Sequence, residues 1–354
     1  MYYSNTLASS HNQKVFSSPA RSVARVFYRV FREGRFDYSL TFYDQIDSTF
    51  ADGSESSANM LCGDWRVEDV VLGVSDVADP TLPLSQAQKA TFGGEIGHSF
   101  SEGDVISTDP VPLSIEKNQY LCVEYTFFGN RLPHHPENLI PCFVMKDGAW
   151  IETKALPLPS MIGCNAPVQK RVVFWGDSIT QGIGAPQDSY LHYAAVTASG
   201  AGSEHAYWDI GIGYGRAQDA ATLGAWMKKA LLGDVVTVCF GVNDILQGRS
   251  AEEIKADLTL IFDTLKKSGV RVLQQTVPPF DYPENLRVIW EDVNDYIKTA
   301  LAPRADAFFD TVPILSVSSE EPHRAKFGPH PNSDGMVLWG KALAPVLKTL
   351  LDKQ

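Results

Sequence analysis

Arg171-Val172-Val173-Phe174-Trp175-Gly176-Asp177-Ser178-Ile179-Thr180 is the stretch that decides the fold of the second half of this chain. Its run of β-branched and aromatic residues reads as a strand buried on both faces, and Gly176 then permits a sharp turn because it has no side chain to clash. Downstream, residues 235–240, 270–276 and 307–310 read as further strands. Residues 217–232, 251–267, 284–301 and 335–351 carry apolar side chains at helical spacing. This alternation predicts an α/β domain, a parallel sheet with helices on both faces, whose ligands meet it beyond the carboxyl ends of the strands.

Upstream the pattern changes. From residue 23 to about residue 152, short runs rich in Val, Phe, Tyr and Thr are broken by turn residues, which predicts an all-β sandwich or jelly-roll-like domain. The clearest strands are 25–31, 38–43, 67–74 and 120–127. Ala51-Asp52-Gly53-Ser54-Glu55-Ser56-Ser57 and Asp79-Pro80-Thr81-Leu82-Pro83 read as turn-forming loops. Prolines crowd residues 156–167, so the boundary is expected there, with residues 1–165 the β-domain and 166–354 the α/β domain. A length of 354 residues suits two domains.

A net charge of -12 and a pI near 5.1 repel phosphate backbones, so nucleic acid is not an expected partner. The longest apolar runs fall well short of the ~20 residues of a membrane span, so no membrane partner is expected either. The start, Met1-Tyr2-Tyr3-Ser4-Asn5, has no basic and apolar leader pattern, and a cytoplasmic location is the expectation. Cys62, Cys122, Cys142, Cys164 and Cys239 are odd in number and widely spaced, which reads as buried free thiols. With no CxxC, HxxxH or HxH spacing, a metal is not expected.

Three residues stand where chemistry is possible. Ser178 follows the carboxyl end of a strand, where substrate and a base can reach it, although such a serine could also simply satisfy backbone groups in the turn. Gly241-Val242-Asn243-Asp244 ends the next strand, so Asn243 reaches the same rim and could donate to an oxyanion; Gly-x-Asn-Asp is equally an ordinary turn with a helix cap. His330 precedes Pro331, which stiffens the loop and could aim the imidazole, whereas a lone loop histidine is commonly a surface residue.

Taken in order, Gly176-Asp177-Ser178, Gly241-Val242-Asn243-Asp244 and His330-Pro331-Asn332 with Gly335 resemble the blocks of the SGNH or GDSL hydrolase superfamily, over residues 166–354. The resemblance implies a flavodoxin-like three-layer fold and a serine esterase. In it Ser178 is the nucleophile, His330 the base and then the acid, and Asp177 a structural turn residue. The oxyanion hole is formed by the Ser178 amide, Asn243 and a glycine within Asp209-Ile210-Gly211-Ile212-Gly213-Tyr214-Gly215-Arg216. Ungapped counting puts Tyr214 at the usual glycine, so Gly213 is the first choice and Gly215 the second.

One departure is plain: Phe327 occupies the position, three before His330, where the family commonly carries the aspartate that orients the histidine. A backbone carbonyl could hold the imidazole instead, giving a Ser-His dyad, or Glu320, Glu321 or Asp310 could supply a carboxylate. Some carbohydrate esterases of the superfamily with an N-terminal jelly roll lack this aspartate. By that resemblance the expected partner is a small-molecule or oligosaccharide ester, and the expected reaction is removal of a short acyl group, acetate above all, from a carbohydrate; acyl transfer of this kind implies no cofactor. Two other readings stay open. One is a lipase-like esterase for longer chains, hinted at by Tyr214, Phe280 and Tyr282; the other is a non-catalytic carbohydrate-binding protein that kept the fold, for which the missing aspartate at Phe327 is the motive. The β-domain could bind carbohydrate through an exposed aromatic such as Trp65, but a packing or rim role is expected first, since Trp and Tyr are more often buried in a sandwich core than displayed.

Overall fold

The computed structural model describes residues 1–49 and 57–353. Residues 51–56 of the first turn-rich loop lie outside the described residues. The chain forms two compact units, Met1–Asp47 with Asn59–Pro167 and Ser48–Ala58 with Val168–Gln354. Residues 48–58 therefore count with the second unit, although the sequence reading assigns them to the β-domain.

The first unit consists of two antiparallel sheets. In one, the long strand Tyr120–His134 lies between Lys14–Arg29 and Gly63–Ser75; in the other, Gly34–Tyr43 pairs with Met161–Cys164 on one side and with Val105–Ser107 and Val111–Ile115 on the other. The sheets meet through aromatic side chains. Phe42 of the second sheet packs on Trp65, Phe100 and Tyr125 of the first at ring distances of 6.5, 6.1 and 6.4 Å. Trp65 is 3% exposed, stacks on Phe100 at 3.9 Å, and donates its Nε1 proton to Asp44 at 2.6 Å. It fills the core, with its polar tip satisfied, and offers no face to a sugar.

The second unit holds a five-stranded parallel sheet in the spatial order Ala206–Asp209, Arg171–Gly176, Val235–Cys239, Arg271–Gln275, Ala307–Phe309. In chain order this is 2-1-3-4-5, the flavodoxin-like arrangement, and the order reverses beside Arg171–Gly176. The edge strand Ala206–Asp209 escaped the sequence reading because its four residues, Ala-Tyr-Trp-Asp, contain no β-branched run. Nine α-helices surround the sheet: α1 Ser178–Gln181, α2 Tyr193–Ala201, α3 Ala217–Ala220, α4 Ala225–Ala230, α5 Val242–Leu246, α6 Ala251–Lys267, α7 Glu284–Tyr296, α8 Val312–Leu315 and α9 Ser333–Asp352, counted among the described residues. Trp175, Trp226 and Phe240 meet edge to face at 5.3 to 5.7 Å and fill one side of the sheet.

The single helix expected over 217–232 is broken. Thr222 Oγ1 turns back to the Asp219 carbonyl at 2.7 Å, Leu223 takes φ 60°, and Gly224 restarts the chain as the N-cap of α4. A side-chain hydroxyl has replaced the next helical hydrogen bond. The helix over 284–301 is continuous but widens into a π-turn at Ile297–Leu301. All five cysteines are buried and free. Among the described residues no helix is long and apolar enough to cross a membrane.

Candidate active site

Arg171–Gly176 and Val235–Cys239 are neighbours at the switch point of the sheet, and the turns after them deliver Ser178 and Asn243 to one rim. Gly176 is required there. A Cβ at this position would come within 2.1 Å of Thr180 Oγ1 and 2.5 Å of the Cys239 carbonyl. Asp177 caps α1, its carboxylate accepting the Ile179 N–H at 2.9 Å, so the turn begins with a built-in stop. Full burial pushes the Asp177 carboxyl up to about 7, against the pull of the Ile179 amide, with the Asp244 charge nearby adding to the rise.

Ser178 Oγ and His330 Nε2 are 2.8 Å apart, the distance of a made hydrogen bond. With the imidazole proton on Nδ1, Nε2 accepts from the serine hydroxyl, which is the geometry of a nucleophile and its base. Ser178 N–H sits at the first position of α1, where no intrahelical carbonyl can claim it. His330 lies in the turn before α9. That turn is closed by the Asn332 N–H donating to the Phe327 carbonyl at 3.0 Å, and Asn332 then caps α9 through Gly335 N–H at 3.2 Å.

The position of Phe327 is thereby explained. Its ring lies against Gly335, where a Cβ would approach it to 2.6 Å, so it closes the base of the His330 turn rather than pairing with the imidazole. Among the described residues no hydrogen-bond partner of His330 Nδ1 is found. Asp310 is engaged with Lys298, Thr276 and the Val312 amide, and Glu320 with Ser319; neither these nor Glu321 reaches the imidazole. Phe280 packs edge-on against the His330 ring at 5.4 Å. Burial holds the His330 pKa below the ordinary histidine value.

Asn243 donates from Nδ2 to the Gly215 carbonyl at 2.9 Å, which fixes the carboxamide and leaves its second N–H for a ligand. The two glycines favoured in the sequence behave otherwise. Gly213 N–H is donated to Gln181 Oε1 at 2.5 Å and Gly215 N–H to the Ile212 carbonyl at 3.0 Å, so each would have to give up a bond to serve an oxyanion. Between them Tyr214 takes φ 59° and is 38% exposed.

Residues 174–338 match the model of the GDSL-like Lipase/Acylhydrolase family. This chain carries a GDSL-like lipase/acylhydrolase domain. Solved structures similar to the GDSL-like domain include a member of the lipolytic protein G-D-S-L family from Veillonella parvula. It is 18% identical, with 50% of this chain and 97% of that one covered, at a TM-score of 0.41. A carbohydrate acetylesterase from Sinorhizobium meliloti is 18% identical, covering 51% and 100%, at 0.41, and an M. smegmatis aryl esterase is 19% identical, covering 51% and 100%, at 0.39. No curated protein sequence matches.

Several parts of the GDSL-like domain's site carry no signal in the sequence. Gln181, which holds the Gly213 amide, is a helix residue like any other by pattern. Gly184 has φ 109° and lies so close to the His330 turn that a Cβ would meet the Pro331 carbonyl at 2.4 Å. Arg216 and Asp219 form a buried ion pair beside Gly215 at 2.8 Å. Among the described residues no group of three His, Cys, Asp or Glu is placed to hold a metal ion.

Proposed function

We propose that the GDSL-like domain is a serine esterase that removes short acyl groups, acetate above all, from carbohydrate esters. The observation that carries this reading is the 2.8 Å contact between Ser178 Oγ and His330 Nε2 at the switch point of the sheet. His330 takes the hydroxyl proton as Ser178 Oγ bonds to the ester carbonyl carbon. The resulting oxyanion accepts the Ser178 N–H and the unshared Asn243 N–H. The imidazolium returns its proton to the departing alcohol oxygen as the C–O bond breaks. Water, deprotonated by His330, then releases the acid from the acyl-enzyme. Gly213 joins the oxyanion hole only by exchanging Gln181 Oε1 for the substrate oxygen.

A dyad without a carboxylate suits an ester, whose alkoxide leaving group asks less of its base than an amine does. The short-acyl preference is supported by access: Ser178 is 8% and Asn243 9% exposed, which favours a small acyl group over a long chain. The test is acetate release from p-nitrophenyl acetate, a longer-chain series and acetylated oligosaccharides, with Ser178→Ala and His330→Ala beside the wild type. We expect the wild type to peak on acetate and both variants to lose at least about three orders of magnitude in kcat. A peak on long chains would replace the short-acyl reading, and an active Ser178→Ala would overturn the mechanism.

A further inference from the structure

We propose that Ser48 and Thr49 are positioning residues for the oxyanion side of this site, acting through Asp219 and Arg216. The inference rests on the serine-esterase reading above. Arg216 follows Gly215 directly in the chain and is 4% exposed. Its guanidinium forks onto the Asp219 carboxylate, Nε at 3.0 Å and Nη2 at 2.8 Å. The third arm, Nη1, donates to Gln247 Oε1 at 2.9 Å, and the Gln247 N–H in turn donates to the Asn243 carbonyl at 3.0 Å. Arg216 thus ties the end of α5, which carries Asn243, to the loop whose Gly215 carbonyl orients the Asn243 carboxamide.

A buried ion pair holds its geometry only when the rest of the carboxylate's lone pairs are satisfied. In this molecule the segment from residue 48 satisfies them. Ser48 Oγ donates to Asp219 Oδ2 at 3.0 Å, the Thr49 N–H to the same oxygen at 3.2 Å, and Thr49 Oγ1 to Oδ1 at 3.2 Å. Thr49 Oγ1 also accepts the Ser57 N–H at 3.1 Å, so the two ends of the segment are pinned together. All of Ser48, Thr49, Arg216 and Asp219 are buried. Without the two hydroxyls Asp219 loses donors, and the Arg216 fork, shared between Asp219 and Gln247, must shift to compensate. The Gly215 carbonyl moves with it, and the Asn243 amide turns away from where the oxyanion forms.

Because the oxyanion exists only during acyl transfer, the loss belongs in kcat and not in KM. The experiment is kinetics on p-nitrophenyl acetate for the full chain, in the wild type and in Ser48→Ala/Thr49→Val, with kcat expressed per site titrated by an organophosphonate. Thr49→Ser, which keeps the hydroxyl, accompanies them, and the double change is repeated in an Asn243→Ala background. We expect kcat to fall about tenfold, the size of a hydrogen bond to a charged group, with KM within about twofold. Thr49→Ser keeps wild-type kcat, and in the Asn243→Ala background the loss shrinks below about threefold, the mark of residues acting through one element. A purely structural role lowers melting temperature and the titratable fraction but leaves kcat per site unchanged, and that result overturns the proposal; so does an undiminished loss without Asn243. If the double variant fails to fold, Ser48→Ala and Thr49→Val singly carry the same comparison. An inert wild type, or an active Ser178→Ala, removes the esterase reading and this one with it. An active wild type with an unaffected double variant removes this one alone.

Discussion

At the scale of single residues, the site turns on how burial treats two titratable groups. His330 must be neutral to accept the Ser178 proton, and burial favours that neutral form by lowering its pKa. The profile of kcat/KM against pH is therefore expected to rise through an apparent pKa below the ordinary histidine value of ~6.5 and then stay level into mildly alkaline solution. A rising limb above that value would mean a neighbouring negative charge that is not found among the described residues. Asp177 is shifted the other way, from 3.8 to about 7, first by its burial. A carboxyl whose folded pKa is raised stabilises the fold while protonated, and that contribution is lost as pH climbs from the unfolded value through the folded one. Asp177→Asn keeps the shape and removes the titration. Over pH 4 to 7, melting temperatures are expected to show the wild type losing ground steadily to this variant.

At the scale of elements, the His330 turn is held from two sides, by Phe327 over Gly335 and by Gly184 against the Pro331 carbonyl. Gly184→Ala places a methyl group 2.4 Å from that carbonyl, in a backbone conformation with φ 109° that suits glycine alone. The turn must move, and kcat is expected to fall about a hundredfold, the cost of a displacement near 1 Å in a reacting group; steady-state kinetics and a melting curve on the same sample check it. Such contacts mark the limit of what the sequence discloses. Strand and helix periodicity showed the parallel sheet, and strand ends placed Ser178 and Asn243 on one rim, because these are local patterns. The edge strand Ala206–Asp209 and the capture of the Gly213 amide by Gln181 depend on partners distant in the chain, for which no period exists, and the break at Leu223 rests on a local turn-back of the Thr222 hydroxyl that apolar spacing does not register. His330 was legible only in company with the other two residues. Phe327 showed what was absent from the site but not that its ring would close the turn.

At the scale of the whole molecule, the net charge of -12 acts on every approaching substrate. For an anionic ester, kcat/KM is expected to rise with added salt as the repulsion is screened, and for a neutral acetate it is expected to stay flat. Stopped-rate assays from low to physiological ionic strength distinguish the two; a neutral ester with equal salt dependence would point to a specific ion effect instead.

The second unit is interrupted: one of its pieces, Ser48–Ala58, is embedded in the chain of the first. On a ribosome, Ser48 and Thr49 emerge about 170 residues before Asp219, the carboxylate they bind. Until then the carboxylate that anchors them does not exist, and the GDSL-like unit cannot be completed by anything made after the proline-rich boundary alone. A gene fragment beginning at that boundary would encode every residue of the Ser178, Asn243 and His330 constellation and still lack part of the unit that holds it. Trading this hydrolase between proteins would mean carrying the upstream loop along with it, so its inheritance is tied to the β-sheets into whose sequence that loop is written.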